Sequence, residues 1–226
     1  MNLIEDLKQV VKGEVLNDPQ TLNFYSHDAS LFEVRPKVVV FPKDQKDVEA
    51  LVDFVNTNKK DHPDLSLTGR SAGTDMGGGS INESIIVAFA KYFNHTAAVH
   101  GNIATTEPGV FYRDFEKITL EDGQIFPSYP ASRELCAMGG IFNNNSGGEK
   151  SLLYGKTEKY VKGMKVVLSD GKEYSLGKLS REELTEKMKQ IDFEGGVYRA
   201  LFGILESNYK TVKGAKPNVS KNSVGY

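Results

Sequence analysis

The chain has 226 residues, with 28 Lys+Arg, 30 Asp+Glu, one Cys, no Trp and 22 Gly. That length suits one large or two small domains, which bury about 70% of the unfolded surface and need no disulfide or metal staple. A formal charge of -2 excludes a long-range field for nucleic acid, one Cys excludes an intrachain disulfide and points to a reducing compartment, and no apolar run reaches the ~18 residues of a transmembrane helix.

Taken in order, MNLIEDLKQVVKGE carries acids early and has no apolar core, unlike a secretory signal. Ile4, Leu7, Val11 and Leu16 predict a helical face that Asp18-Pro19 ends, with irregular chain to residue 35. Val38 to Phe41 reads as a buried strand. Asp44 is the expected N-cap of a helix whose Val48, Leu51, Val52 and Val55 share a face. Residues 65–68 and 84–90 predict two more strands, and a glycine cluster lies between them. TAAV and Ile103 to Pro108 are short strand candidates, and Phe111, Phe115 and Ile118 mark a helix over 110–120. Residues 160–176 predict a hairpin turning at Asp170-Gly171. Ser180 and Glu183 form an expected capping box for a helix to about Ile191, and a second helix spans 196–209. The tail after Tyr209 carries four Lys and no acid.

Two clusters are candidates for ligand binding. TGRSAGTDMGGGS (68–80) can turn successive backbone N–H groups into one concavity, as loops that hold phosphate do. It is neither GxxxxGK[ST] nor GxGxxG, and it follows the second strand of its unit rather than the first, so it is no P-loop or Rossmann fingerprint. GGIFNNNSGG (139–148) combines amide side chains with glycines that let a flat ligand approach the backbone. Alternatives are a surface loop for the first and an Asn-rich turn for the second. His27, His62, His95 and His100 lack ligand-like spacing, and Asp28 reads as a turn-capping carboxylate. No metal site is expected.

Residues 36–177 resemble the FAD-binding PCMH-type domain of the vanillyl-alcohol-oxidase-type flavoproteins, closest to the glycolate oxidase and D-lactate dehydrogenase branch. Seven segments stand in the expected order: PKVVVFPKDQKDVEALVDFVN, GRSAGTDMGGG, EPGV, PAS (130–132), MGGIFNNNSGG, SLLYGKT and YVKGMKVVLSDG. YSHDAS before them and SVGY at the end look like that branch's flanks. The resemblance implies an α+β fold in which two α+β subdomains, 36–92 and 93–177, clasp FAD. Residues 1–35 would form a helical leader, and 178–226 a helical pair and exit segment.

By the same resemblance, Arg70 starts the pyrophosphate loop, Ser71, Ala72, Gly73, Thr74 and Asp75 supply backbone donors, and Met76 lies beside them. Pro130, Ala131, Ser132, Cys136, Ala137, Gly139 and Gly140 run along the flavin and ribityl chain. Asn145, Ser146, Gly147 and Gly148 line the flavin, Tyr154 and Gly155 close that turn, and the backbone at Val166 and Val167 meets the adenine. Some relatives tether flavin through a His in the pyrophosphate loop; this loop has none, which implies non-covalent FAD. Cys136 is out of register for a second tether and reads as a small buried thiol. Tyr129 stands where many relatives have Asp, and Ala137 where many have Thr, so two polar flavin contacts and some affinity are expected to be missing.

The implied activity is hydride transfer from a 2-hydroxy acid such as D-lactate or glycolate to FAD, with onward transfer to an acceptor protein or quinone. In that branch the catalytic base sits in a following substrate domain. No catalytic residue is therefore named here, and the chain, read as truncated, is expected to bind FAD without turning over substrate. The compartment expected is the cytoplasm, with peripheral membrane attachment open and no nucleic-acid partner. Two alternatives stay open: a MurB-like NADPH-dependent reductase of enolpyruvyl-UDP-sugars or the FAD subunit of a molybdenum hydroxylase, and a non-catalytic nucleotide-binding module.

Overall fold

VVVF and IIVA contain no polar residue, and a strand without a polar face must be covered on both sides. In the computed structural model, which describes residues 2–96, 99–215 and 217–219, both are buried along their whole length. The chain forms two compact units, one running to Val161 and one from Lys162. The first contains α1 (Leu3–Val10), β1 (Glu14–Leu16), α2 (Pro19–Tyr25), β2 (Val38–Phe41), α3 (Gln45–Asn58), β3 (Leu67–Arg70), β4 (Ile85–Ala88), α4 (Tyr112–Glu121), α5 (Met138–Asn143) and α6 (Ser151–Tyr154).

Its sheet has the order β1-β2-β4-β3, with β1 antiparallel to β2 and the other pairs parallel. Alternate residues of the two central strands feed different cores. Val38, Val40, Ile85 and Val87 pack with Leu7 of α1, Leu51 of α3 and Leu65. Val39, Phe41, Ile86 and Ala88 pack with Leu22 and Tyr25 of α2. A third cluster joins Val110, Tyr112 and Phe115 to Tyr129, Cys136, Met138 and Ile141.

The second unit contains β5 (Gly163–Val167), β6 (Glu173–Gly177), α7 (Arg181–Lys189), α8 (Phe193–Ser207) and α9 (Tyr209–Ala215). β5 and β6 pair antiparallel around the expected Asp170-Gly171 turn, where Gly171 has φ +76°. The capping box is present: Ser180 Oγ accepts from Glu183 N at 3.1 Å, and Glu183 Oε2 from Ser180 N at 2.6 Å.

Several expectations need correction. The leader is not helix followed by irregular chain: α1 stops at Val10, and Leu16 lies in β1, a strand of the main sheet. Asp18-Pro19 does not end a helix but starts α2, because Asp18 caps Thr21 N at 3.0 Å and Pro19 needs no N–H partner in a first turn. Residues 138–143, in the segment whose alternative reading is an Asn-rich turn, form α5. Thr96 and Thr106 form an isolated bridge rather than strands; Ala97 and Ala98 of TAAV, and the SVGY segment, lie outside the described residues. α8 starts at Phe193, three residues before the expected Gly196, because Asp192 caps it through Gly195 N at 2.9 Å.

Asp44 caps α3 as expected, accepting from Asp47 N at 3.1 Å. Asp47 itself is buried, and its carboxylate takes three backbone donors: Lys12 N at 2.8 Å, Gly13 N at 2.9 Å and Lys43 N at 2.8 Å. It therefore ties the α1–β1 connection to the chain leaving β2. Asp47→Asn turns an NH₂ group towards these donors and should cost about 2 kcal/mol, read as a lower urea midpoint at unchanged slope. An unchanged midpoint would remove Asp47 from the framework.

Candidate functional site

β3 and β4 are parallel neighbours, so the chain between them must cross from one end of the sheet to the other. Residues 71–84 do this without a helix, leaving from the carboxyl end of β3. The carboxyl ends of β2, β3 and β4 share one edge, which is where open sheets of parallel strands bind ligands.

Arg70, the last residue of β3, is only 5% exposed. Its guanidinium lies 4.9 Å from the Tyr25 ring centroid and 5.9 Å from that of Phe24, and Nη1 donates to Tyr25 O at 3.3 Å. It forms no ion pair among the described residues. Burial pushes its pKa below the ordinary value, opposed by Tyr25 and Asp28, and an arginine stays charged regardless. The chain folds back over this cation. A Cβ on Gly73 would stand 2.6 Å from Arg70 Nη2, and Gly73 has φ +70°, a left-handed conformation that favours glycine.

Among the described residues, the amides of Ser71, Ala72, Gly73, Thr74, Asp75 and Met76 donate to no protein group. The next part of the loop is closed by its own side chain: Asp75 Oδ2 accepts from Gly77 N at 3.1 Å and Gly79 N at 2.7 Å. Asn144 Nδ2 reaches Asp75 Oδ1 at 3.4 Å. Ser71 to Asp75 are half-buried, and Met76 is exposed.

The second glycine cluster meets the first at one peptide. Pro108 O accepts from Ser71 Oγ at 2.8 Å and from Gly139 N at 2.9 Å. Tyr112 N to Cys136 O and Met138 N to Val110 O, both 2.9 Å, continue this as a short antiparallel pairing. A Cβ on Gly139 would come within 2.7 Å of Pro108 Cβ and 2.9 Å of Ser71 Oγ, whereas one on Gly140 would meet nothing within 4 Å. Gly140 thus presents bare backbone to open space.

Further along, Asn145 holds φ +44°, and its side chain is bonded both ways to Glu158, with Oδ1 accepting from Glu158 N at 3.0 Å. Ser146 O accepts from Thr157 Oγ1 at 2.8 Å. Gly147 and Gly148 pack on Ser151 Oγ and on Tyr129 O, respectively, with no room for a Cβ. Ser128 Oγ donates to Gly155 O at 2.8 Å, fixing the turn in which Gly155 has φ +85° and Tyr154 is exposed.

Pro130 and Ala131 follow Tyr129, and Ser132 O accepts from Leu135 N and Cys136 N, both at 2.8 Å. Cys136 and Ala137 are buried; burial pushes the Cys136 thiol up, so it stays protonated as a packing group. Tyr129 is buried and donates to Glu149 Oε1 at 3.0 Å. Val166 and Val167 lie on β5 in the second unit; the other expected residues all belong to the first. Sequence reasoning passed over Tyr25, Pro108 O and Asn144. A backbone acceptor leaves no mark in a sequence, but the Pro-Gly of EPGV marked the place.

The donors fit a dianionic bridging group: six free amides over a buried, unpaired cation, beside bare backbone at Gly140. Residues 36–177 match the family model described as FAD binding domain, and the chain belongs to that family. It is 32% identical over 180 residues to a D-2-hydroxyglutarate dehydrogenase of Stutzerimonas stutzeri, covering 78% of this chain and 38% of the relative. It is 29% identical over 172 residues to the glycolate oxidase subunit GlcD of Bacillus subtilis, covering 74% and 36%. The chain thus spans well under half the length of these curated relatives. Among solved structures, 6-hydroxy-D-nicotine oxidase from Arthrobacter nicotinovorans superposes with a TM-score of 0.65 at 21% identity, over 77% of this chain and 38% of that one. An alkyldihydroxyacetonephosphate synthase gives 0.64 at 19% identity, over 85% and 39%. The fold is therefore the expected α+β flavoprotein fold, and FAD is its cofactor.

Gly139→Ala should force Pro108 and Ser71 apart and cost about 1–3 kcal/mol, seen as a lower midpoint of thermal unfolding, while Gly140→Ala, inside a helix with open space at its Cβ, should leave the midpoint of the cofactor-free chain unchanged or raised. Equal midpoints for the two variants would contradict the packing at Pro108.

Proposed function

We propose that this member of the FAD-binding domain family provides the cofactor-binding part of a flavin-dependent 2-hydroxy-acid dehydrogenase and holds FAD without a covalent link. The observation that carries the reading is the run of six amides, Ser71 to Met76, without protein acceptors above the buried, unpaired Arg70. A diphosphate needs many donors and little bulk, and a Gly-containing loop with one cation beneath it meets both needs. Gly140 offers a flat ring a close approach, and the packing of Gly147 and Gly148 keeps the facing loop thin. The absence of His from residues 70–80 supports a non-covalent site.

When bound, FAD supplies the two-electron acceptor for the carbinol hydride of the substrate. The named activities of similar proteins, on D-2-hydroxyglutarate, glycolate and D-lactate, share one chemistry: a carboxylate next to a secondary or primary alcohol. That is the substrate class proposed. The onward acceptor in this reading is a carrier protein or quinone, and the location is cytoplasmic or at a membrane surface. No helix among the described residues is long and apolar enough to cross a membrane. The chain's own part is binding and orientation, so the 226 residues alone should hold FAD and leave the hydroxy acids unoxidised.

Titrating the purified chain with FAD should quench flavin fluorescence to a one-to-one endpoint, and acid precipitation should release all the flavin to the supernatant. Arg70→Met should weaken binding about ten- to a hundred-fold through the lost charge. An absence of any bound chromophore in the wild type would sink the reading. Bleaching of the bound flavin by NADPH would redirect it towards a nicotinamide-driven reductase.

A further inference from the structure

The cluster around Glu116 is the best-developed polar network that the cofactor reading does not use. Glu116 lies on α4, 6% exposed, among Tyr112, Phe115 and the apolar side chains of the third core. Its two oxygens are divided between two partners. Tyr112 Oη lies 3.1 Å from Oε1 and 2.8 Å from Phe126 O, two acceptors that share its single proton. Oε2 takes both Nε, at 3.0 Å, and Nη2 of Arg133. Burial, then Glu116, push the Tyr112 hydroxyl far above its ordinary pKa, so it remains a donor.

Arg133 belongs to the loop that carries Pro130, Ala131, Ser132 and Cys136. Its guanidinium also lies 4.8 Å from the Tyr129 ring centroid. One turn earlier on α4, Arg113 Nη1 donates to Glu134 O. Two consecutive loop residues are therefore gripped by two side chains on one face of α4. A buried carboxylate is costly to a fold and stabilises only when its partner is held; an apolar residue at 116 would fill the core more cheaply. What the carboxylate adds is a fixed position for Arg133 and hence for the loop.

We infer that Glu116 is a positioning residue for the cofactor, locking the Pro130–Cys136 loop through Arg133 in the conformation that receives the flavin. The inference rests on the FAD reading above and names a residue outside the binding loops. A loop that must be ordered on binding costs affinity that a preordered loop does not. The burial of the two partners is unequal, with side chains 8% exposed for Glu116 and 39% for Arg133. Removing Arg133 strands a buried charge, whereas removing Glu116 leaves an arginine that water can reach. A purely structural pair would thus show a large effect in Arg133→Met and a small one in Glu116→Gln by every measure. A positioning pair would show the same contrast in stability but equal losses in FAD affinity.

The test compares wild type, E116Q, R133M and the double variant, with R133K as the conservative variant. Each is followed by urea unfolding without FAD, by FAD fluorescence quenching and by the visible absorption fine structure of bound flavin. E116Q and R133M should each weaken FAD about ten-fold, the double variant no more than about two-fold beyond either, and R133K should recover part of the loss. Bound flavin should lose fine structure in the single variants. Should R133M fail to fold, E116Q and R133K carry the comparison. E116Q affinity within about two-fold of wild type with an unchanged spectrum overturns the inference, as do losses that multiply in the double variant. Wild-type protein that binds no FAD overturns the cofactor reading and this inference with it, and is told apart from the other failures by the wild-type titration alone.

Discussion

A carbonyl oxygen has two lone pairs, and at Pro108 both are used by groups that belong to different glycine-rich segments. Ser71 Oγ brings the loop that leaves β3, and Gly139 N brings the start of α5. The peptide that offers this oxygen is itself pinned. Gly109 N donates to Phe93 O at 2.7 Å, and a Cβ at Gly109 would lie 2.5 Å from both Phe89 O and Phe93 O. A line of support therefore runs from β4 through residues 89–93 to Gly109, to Pro108 and outward to both loops. Every contact along it is too close for a side chain, which is why glycines sit at 109 and 139. The distance between the two halves of the candidate site follows from this line, with Asn144 Nδ2 reaching Asp75 Oδ1 as a second link.

Charge is arranged around that frame with some economy. Arg70 is desolvated against Tyr25 and has no anionic partner among the described residues, a condition that costs free energy. Asp75, a few residues on, is kept from neutralising it because the amides of Gly77 and Gly79 hold its carboxylate. The loop thus keeps six amides available beside one cation while Asp75 is occupied, a distribution that favours a diphosphate over a neutral ligand. Tyr129 buries its ring and donates to Glu149.

Elements whose causes are local were legible in the residues. The strands at 38–41 and 85–88 are apolar throughout, and burial on both faces is the only way to use such a run. Asp44, Ser180 with Glu183, and Asp170-Gly171 act through bonds that span three or four residues, and each acts as its spacing implies. The helical face predicted through Leu16 breaks off because Glu14–Leu16 is a strand only by virtue of Val39 to Phe41 beside it. The helix at Met138–Asn143 has no local signal in the residues; it forms where Pro108 O and Val110 O receive its first amides. Asp28 acts as the turn carboxylate its place beside Ser30 implies, its Oδ1 accepting from Ser30 N at 2.8 Å.

By itself, the sequence determined the identity of the glycine-rich segments, their order and the family they belong to, since these depend on residue type and spacing. Tertiary structure alone decided that β4 inserts between β2 and β3, that Pro108 O joins the two segments, that Arg70 is left unpaired and that Glu116 holds Arg133. Each of these is a meeting of residues distant in the chain, made by a backbone acceptor or a long side chain that has many alternative partners in the unfolded protein. Only the closed fold, which removes water and those alternatives together, selects one.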